Sequence, residues 1–178
     1  MEIPYEKTMV EIFRWRVNKS GNNVAHKFEE KETTFNELDS FSNKVAQGLI
    51  EEGCKPDSRV AYLGKNSDIF FEFMYGTIKS RTVTVGVNWR LAPPEVAFIL
   101  NDSSSEILFV GPEFFGLIEE IKDEIPSVKK IITVGGHHEE WEDYTHWRDA
   151  NVDEDPMLES NGDDDVIQLY TSGTTGHP

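Results

Sequence analysis

Cysteine is almost absent from the sequence, since Cys54 is the only one among 178 residues. A single thiol can form neither an intrachain disulfide nor a cysteine-based metal cluster. No apolar run reaches the roughly 18 residues that a membrane-spanning helix requires. Charge begins at Glu2, and no apolar stretch of signal-peptide length follows it. These absences predict a protein of the reducing cytoplasm without a transmembrane segment.

Positive charge is also scarce, with 17 Lys and Arg against 33 Asp and Glu and a formal net charge of −16. The imbalance is concentrated between Glu113 and Asp165, where 17 acidic residues face 4 basic ones. Such a surface repels nucleic acids and anionic lipids, so a nucleic-acid partner is excluded. We interpret the acidic region as a solvated face that keeps the protein soluble.

The hydrophobic pattern alternates between helical and strand periods along the chain. It predicts strands over residues 24–28, 59–63, 82–87, 107–110 and 131–134, and helices over residues 8–18, 36–52, 67–79, 94–101 and 113–125. Alternation of this kind is typical of a layered α/β fold with a mainly parallel sheet flanked by helices. At this length, residues 1–178 suit a single domain.

The most informative segment is the final one, where the apolar run of residues 166–170 is followed by a loop rich in glycine and hydroxyl groups. The loop reads Thr171-Ser172-Gly173-Thr174-Thr175-Gly176-His177-Pro178. Glycines permit close approach to the backbone, successive N–H groups form a nest for oxyanions, and the hydroxyls add further donors. The common nucleotide P-loop has a Lys-Ser/Thr pair after its last glycine, which this loop lacks. The pattern predicts a phosphate-binding loop of another kind.

The string that begins at Tyr170 and ends at Pro178 resembles the signature Y-[ST]-S-G-[ST]-T-G-x-P-K-G of the adenylate-forming superfamily of acyl-CoA synthetases, luciferases and peptide-synthetase adenylation domains. The resemblance implies that six residues bind the β- and γ-phosphates of ATP: Thr171, Ser172, Gly173, Thr174, Thr175 and Gly176. It implies no catalytic residue and no metal ligand within these 178 residues.

Earlier segments support the same resemblance over most of the chain. A capping box at Thr34 and Glu37 precedes an amphipathic helix, as in the family's T-[YF]-x-E-L segment. The stretch from Gly76 to Leu91 resembles the family's G-A-x-K-x-G-A-x-x-V-P-[IVL]-N-x-R-L, and its Asn88-x-Arg90-Leu91 form is similar to acyl-CoA synthetases. Two residues depart from the pattern: Arg81 replaces a usual glycine and Gly86 a usual proline.

The resemblance thus implies the N-terminal part of the large domain of an acyl-CoA synthetase, most like a fatty-acid–CoA ligase. The implied partners are a carboxylic acid, ATP, Mg²⁺ and CoA. We expect the 178-residue chain alone to be inactive and its uncovered sheet edges to favour self-association. Three alternatives remain open. They are a peptide-synthetase-like or luciferase-like enzyme, a naturally short non-catalytic binding or scaffold protein, and an unrelated nucleotide-binding module with a convergent loop.

Two polar clusters could suggest metal sites. His138, Glu142 and His146 would share a face if their stretch were helical. The two glycines before this stretch favour an exposed loop instead, with nearby aromatic residues packed on the core. Asp163-Asp164-Asp165 is more typical of a solvated turn than of a cation site. The aromatic run of residues 70–74 predicts a buried helix face.

Overall fold

The computed structural model describes residues 7–171, and within that range the protein is a three-layered α/β domain with six α-helices and eight strands. The helices are Met9–Ser20 (α1), Phe35–Glu51 (α2), Asp68–Ser80 (α3), Pro93–Asp102 (α4), Phe115–Ile121 (α5) and Tyr144–Asp149 (α6). The strands are Val24–Phe28 (β1), Lys31–Thr34 (β2), Arg59–Leu63 (β3), Val83–Gly86 (β4), Ile107–Val110 (β5), Lys130–Thr133 (β6), Glu142–Asp143 (β7) and Ile167–Leu169 (β8).

Six strands form one parallel sheet in the order β7-β6-β5-β3-β4-β8. The chain passes from β3 to β4 on one side, crosses back to β5 on the other side, and returns to place β8 beside β4. Helices cover both faces, with α2, α3 and α6 on one face and α4 and α5 on the other. The predicted fold class, a mainly parallel sheet flanked by helices, is confirmed.

Local sequence explains where two helices begin. The side chains of Thr8 and Thr34 each accept a hydrogen bond from the backbone N–H of the residue three positions on. The side chains of those residues, Glu11 and Glu37, accept the backbone N–H of Thr8 and Thr34 in turn. These capping boxes satisfy N–H groups that the first helical turn leaves unpaired. Helices α2 and α3 pack closely because Gly76 has no side chain, and a Cβ there would lie 2.3 Å from Val45 Cγ1.

The structure also corrects several expectations. Strand β1 does not join the parallel sheet but pairs with β2, which the pattern did not predict, in an antiparallel hairpin. The helix predicted over residues 113–125 is divided, because 3-10 turns at Pro112–Phe114 and Lys122–Glu124 flank the short α5. Strand β7 and helix α6 were not predicted.

The core lies against both faces of the sheet. One cluster joins α4 and α5 to the sheet and is centred on Leu100, Leu108 and Ile118, and the other joins α2, α3 and α6 to the opposite face around Leu49, Phe73 and Phe109. In the predicted aromatic face of α3, Phe73 is fully buried, whereas Phe71 is 40% exposed and stacks on His26 of the β1–β2 hairpin. That part of the prediction was wrong because the hairpin covers Phe71 only partly.

Among the helices in residues 7–171, none has both the length and the apolar character needed to cross a bilayer.

Candidate nucleotide-phosphate site

Strand β8 places the start of the predicted phosphate loop at the carboxyl edge of the parallel sheet. It runs beside β4, with Gly86 opposite Leu169, and ends two residues before the exposed Thr171. In open α/β sheets, ligands bind at this edge. The predicted residues Ser172, Gly173, Thr174, Thr175 and Gly176 lie outside the described residues, so their roles stay predictions.

The loop that follows β4 leaves the sheet at the same carboxyl edge, because β4 and β8 are parallel neighbours. It is a tight turn, because Asn88 accepts the backbone N–H of Arg90 through its side chain (3.1 Å) and that of Leu91 through its carbonyl (3.1 Å). Arg90 lies over the ring of Trp89, 4.4 Å from its centroid. The Asn88-x-Arg90-Leu91 segment therefore follows β4 at the same edge of the sheet at which Thr171 follows β8.

Tyr170 connects the end of β8 to Asp102, the last residue of α4. Its hydroxyl donates to Asp102 Oδ2 (2.7 Å) and accepts from Gln168 Nε2 (2.8 Å). Partial burial, together with the Asp102 carboxylate, raises the pKa of Tyr170 to about 12. The phenol therefore stays protonated at neutral pH and holds the residue before Thr171 in place.

Residues 153–165, here called the acidic segment, precede β8 and contact the N-terminal half of the protein. The Asp155 carboxylate receives two hydrogen bonds from the Arg14 guanidinium, at 2.8 and 2.6 Å, and Asp153 accepts from Ser40 and Asn43. Carboxylates in this segment are therefore paired with α1 and α2. The interpretation of the acidic region as a solvated face is incomplete, because the pairing residues are distant in sequence.

The same segment ends in two further ion pairs. Asp164 receives two hydrogen bonds from Arg81, at 2.9 and 2.7 Å, and Asp165 lies 3.3 Å from the Arg59 guanidinium. The Arg81 hydrogen bonds hold the pKa of Asp164 below its usual value. Two of the three consecutive aspartates therefore serve as partners of arginines.

The histidine-rich stretch is divided among different elements. His138 stacks on Trp141, with ring centroids 3.6 Å apart, and its Nε2 lies 3.3 Å from Glu119. His146 instead belongs to α6, with Nδ1 3.1 Å from Glu142. Within residues 7–171, no group of three or more His, Cys, Asp or Glu side chains could hold a metal ion.

One buried charged cluster escaped the sequence analysis. Glu72 of α3 is 1% exposed and accepts hydrogen bonds from the Tyr144 hydroxyl (2.7 Å) and Arg148 Nη1 (2.8 Å), both from α6. Burial, and the neighbouring Glu72 carboxylate, raise the pKa of Tyr144 well above its ordinary value. The available signal was an acid inside the apolar run Ile69-Phe70-Phe71-Glu72-Phe73, since buried acids need partners.

The family model described as AMP-binding enzyme matches residues 13–178, and the chain belongs to that family. The adenylate-forming enzymes predicted from the terminal loop are this family, so that prediction is confirmed. The chain covers the N-terminal portion of the ligases that it resembles.

Two curated relatives and one solved structure illustrate the similarity. The fatty acid–[acyl-carrier-protein] ligase ScoC of Streptomyces coeruleorubidus is 37% identical over 176 residues, which are 98% of this chain and 32% of that protein. The long-chain-fatty-acid–CoA ligase FadD13 of Mycobacterium tuberculosis is 37% identical over 145 residues, 82% of this chain and 28% of that protein. The crystal structure of the anthranilate CoA ligase AuaEII in complex with anthranoyl-AMP aligns with a TM-score of 0.92 and 28% identity, covering 100% of this chain and 35% of that one.

The chain therefore spans about a third of the length of these relatives.

Proposed function

We propose that this chain is the N-terminal part of an ATP-dependent acid–thiol ligase, most similar to fatty-acid–CoA ligases. The observation that carries the proposal is Thr171 at the carboxyl edge of the sheet, followed in sequence by the hydroxyl- and glycine-rich residues 172–176. Membership of the AMP-binding family and relatives that ligate fatty acids support it.

The proposed reaction has two steps. A carboxylate oxygen attacks the α-phosphorus of ATP, which gives an acyl-adenylate and releases pyrophosphate. A thiolate sulfur then attacks the acyl carbon, and AMP leaves. The task of Thr171, Ser172, Gly173, Thr174, Thr175 and Gly176 would be to hold the β- and γ-phosphates in line and to stabilise the charge that develops on pyrophosphate.

Mg²⁺ would add charge compensation at the phosphate oxygens when bound. Because residues 7–171 offer no cluster of metal-ligating side chains, we assign no ligand of this ion to the described part of the chain. The single-domain boundary 1–178, the inactivity of the chain alone and a cytoplasmic location are parts of the same proposal.

The thiol acceptor is proposed to be CoA. The Asn88-x-Arg90-Leu91 segment favours an acyl-CoA synthetase, and FadD13 is named as a CoA ligase. The similarity to ScoC, which is named as an acyl-carrier-protein ligase and matches 98% of this chain, favours a carrier-protein thiol as the second candidate.

Pyrophosphate exchange into ATP tests the proposal in the enzyme that contains these residues. Acetate, medium-chain, long-chain and aromatic acids are compared, and thioester formation is then followed with CoA and with a phosphopantetheinylated carrier protein. We expect exchange with fatty acids and a thioester with CoA. No exchange with any acid would refute the ligase assignment and favour a non-catalytic protein on this fold.

A further inference from the structure

The register of β8 is weakly specified by burial. The strand has three residues and, among the described residues, pairs only with β4. Ile167 and Leu169, which face the α3 side, are 46% and 66% exposed. Registers are strongly specified where one face of a strand is buried, and weakly where it is not. A slip of two residues would keep the faces but move Thr171 along the sheet by about 6.6 Å.

Polar contacts supply what burial does not. Arg81 precedes the start of β4 by two residues, and Asp164 precedes the start of β8 by three. Their two hydrogen bonds, at 2.9 and 2.7 Å, therefore connect the amino ends of the two neighbouring strands. Asp164 Oδ2 also accepts the backbone N–H of Asn161 (2.9 Å), which fixes the turn that carries the carboxylate.

A second contact is made by Gln168, which lies on the face of β8 opposite to Ile167 and Leu169. Arg59, at the start of β3, donates from Nε to Gln168 Oε1 (3.2 Å). Gln168 in turn donates to Tyr170, the residue before Thr171. Both contacts, Arg81 with Asp164 and Arg59 with Gln168, are made in the observed register, and a slip of two residues would move Asp164 and Gln168 by about 6.6 Å relative to their arginines.

The backbone of Arg81 is unusual in the same place. Its φ is 58°, in the left-handed region that glycine adopts readily and other residues rarely do. The sequence pattern of the family has a small glycine at this position. Arg81 is the C-cap of α3, a position at which helices often end in this conformation, so the unusual feature is a large side chain there rather than the backbone. That side chain makes the two hydrogen bonds to Asp164.

We propose that Arg81 and Asp164 are positioning residues for the phosphate loop. They touch neither ATP nor the carboxylic acid, and act by fixing the register of β8 against β4, which sets where Thr171 and the loop after it begin. The inference rests on the proposed function for its catalytic consequence, whereas the register itself can be measured independently.

The register is tested in the 178-residue chain by amide hydrogen exchange of residues 164–171. Asp164→Asn removes the charge and keeps the shape, and Arg81→Gly removes the guanidinium with the residue best suited to positive φ. Asp163→Asn is the matched control, because its side chain has no partner among the described residues. We expect exchange to rise roughly fivefold in both test variants, no further in the double variant, and not in the control. Equal exchange in Asp164→Asn and Asp163→Asn would overturn the proposal.

The positioning role is tested in the enzyme that contains these residues. Asp164→Asn and Arg81→Gly should raise KM for ATP and slow pyrophosphate exchange by roughly fivefold, while thioester formation from synthetic acyl-adenylate is unchanged. A purely structural role would lower both half-reactions equally, and that result would overturn the proposal. If the unmodified enzyme showed no pyrophosphate exchange into ATP, that result would count against the proposed function alone. The register would still be decided by the amide hydrogen exchange of residues 164–171.

Discussion

Buried charged side chains in this protein form ion pairs with residues that are far away in sequence. Lys79, whose side chain is fully buried, donates to the carbonyl and carboxylate of Asp39. Burial lowers the pKa of Lys79, and the hydrogen bond to Asp39 opposes that shift. Glu72 and Arg148 form the corresponding pair between α3 and α6. Removing one member of such a pair leaves the other buried without a partner.

Arg148→Met should therefore lower the free energy of unfolding by about 3 kcal/mol. The control is Arg90→Met, the same substitution at an exposed residue with no carboxylate partner among the described residues, which should change it by less than about 0.5 kcal/mol. The double variant Glu72→Gln/Arg148→Met should recover part of the loss. Urea denaturation measures all three, and equal stability of the two single variants would contradict the account.

Sequence alone could identify Glu72 as unusual but not its partner. An acid within an apolar helical run must be buried or must break the pattern. Glu72 and Arg148 are 76 positions apart in sequence, and no local signal connects them. The same holds for Arg14 with Asp155, whereas the capping boxes at Thr8 and Thr34 were accessible because they span only three residues.

At the level of elements, long periodic segments were predictable and short ones were not. Strands β3 and β5 were predicted with their observed bounds, because continuous apolar runs with clear ends define them. Strand β7 has two residues and α6 has six, too few for a period to emerge. The phosphate loop is a prediction from its residues, and the pairing of β8 with β4 shows where Thr171, its first residue, lies.

The acidic segment is the element whose stability should depend on pH. Burial pushes the pKa of Asp155 upward, but hydrogen bonds from Arg14 and Met157 outweigh it and lower the pKa, while hydrogen bonds from Arg81 lower that of Asp164. For a carboxylate with a lowered folded-state pKa, the stabilisation is present above the unfolded-state pKa of 3.8 and is lost as pH falls below it.

Urea titrations at pH 6 and pH 3 should therefore show a fall in the free energy of unfolding, and Asp155→Asn/Asp164→Asn should reduce that fall. The Asp163→Asn variant should retain it. If the double variant showed the same pH dependence as the unmodified chain, the ion pairs of the acidic segment would not contribute to it.

In the whole molecule, the acidic residues near the end of the sequence form ion pairs with arginines from the first half of the chain. The acidic segment packs on arginines of α1, of β3 and of the residues just before β4, so part of its own negative charge is compensated by ion pairs. Beside it, β8 is the last strand of the sheet among the described residues, and Leu169 on its α3 face is exposed. Uncovered apolar strand edges promote association.

We expect the 178-residue chain to self-associate through this edge despite its charge. Leu169→Lys should shift its sedimentation toward the monomer. Val152→Lys, the same charge change at a residue 60% exposed and distant from β8 in sequence, should not. If the unmodified chain sedimented as a monomer at every concentration, the edge of β8 would not mediate self-association.

The central claim is that the loop after β8 binds the phosphates of ATP. It is tested most directly by measuring the two half-reactions separately in Thr174→Ala and Thr175→Ala variants. The measurement is made in the enzyme that contains these residues, with adenylation followed by pyrophosphate exchange and thioester formation started from synthetic acyl-adenylate. Loss of one well-placed hydroxyl should slow adenylation by on the order of 10²–10³ and leave thioester formation largely intact. An equal loss in both half-reactions would contradict the account, because it would make the loop a structural element without a role at the phosphates.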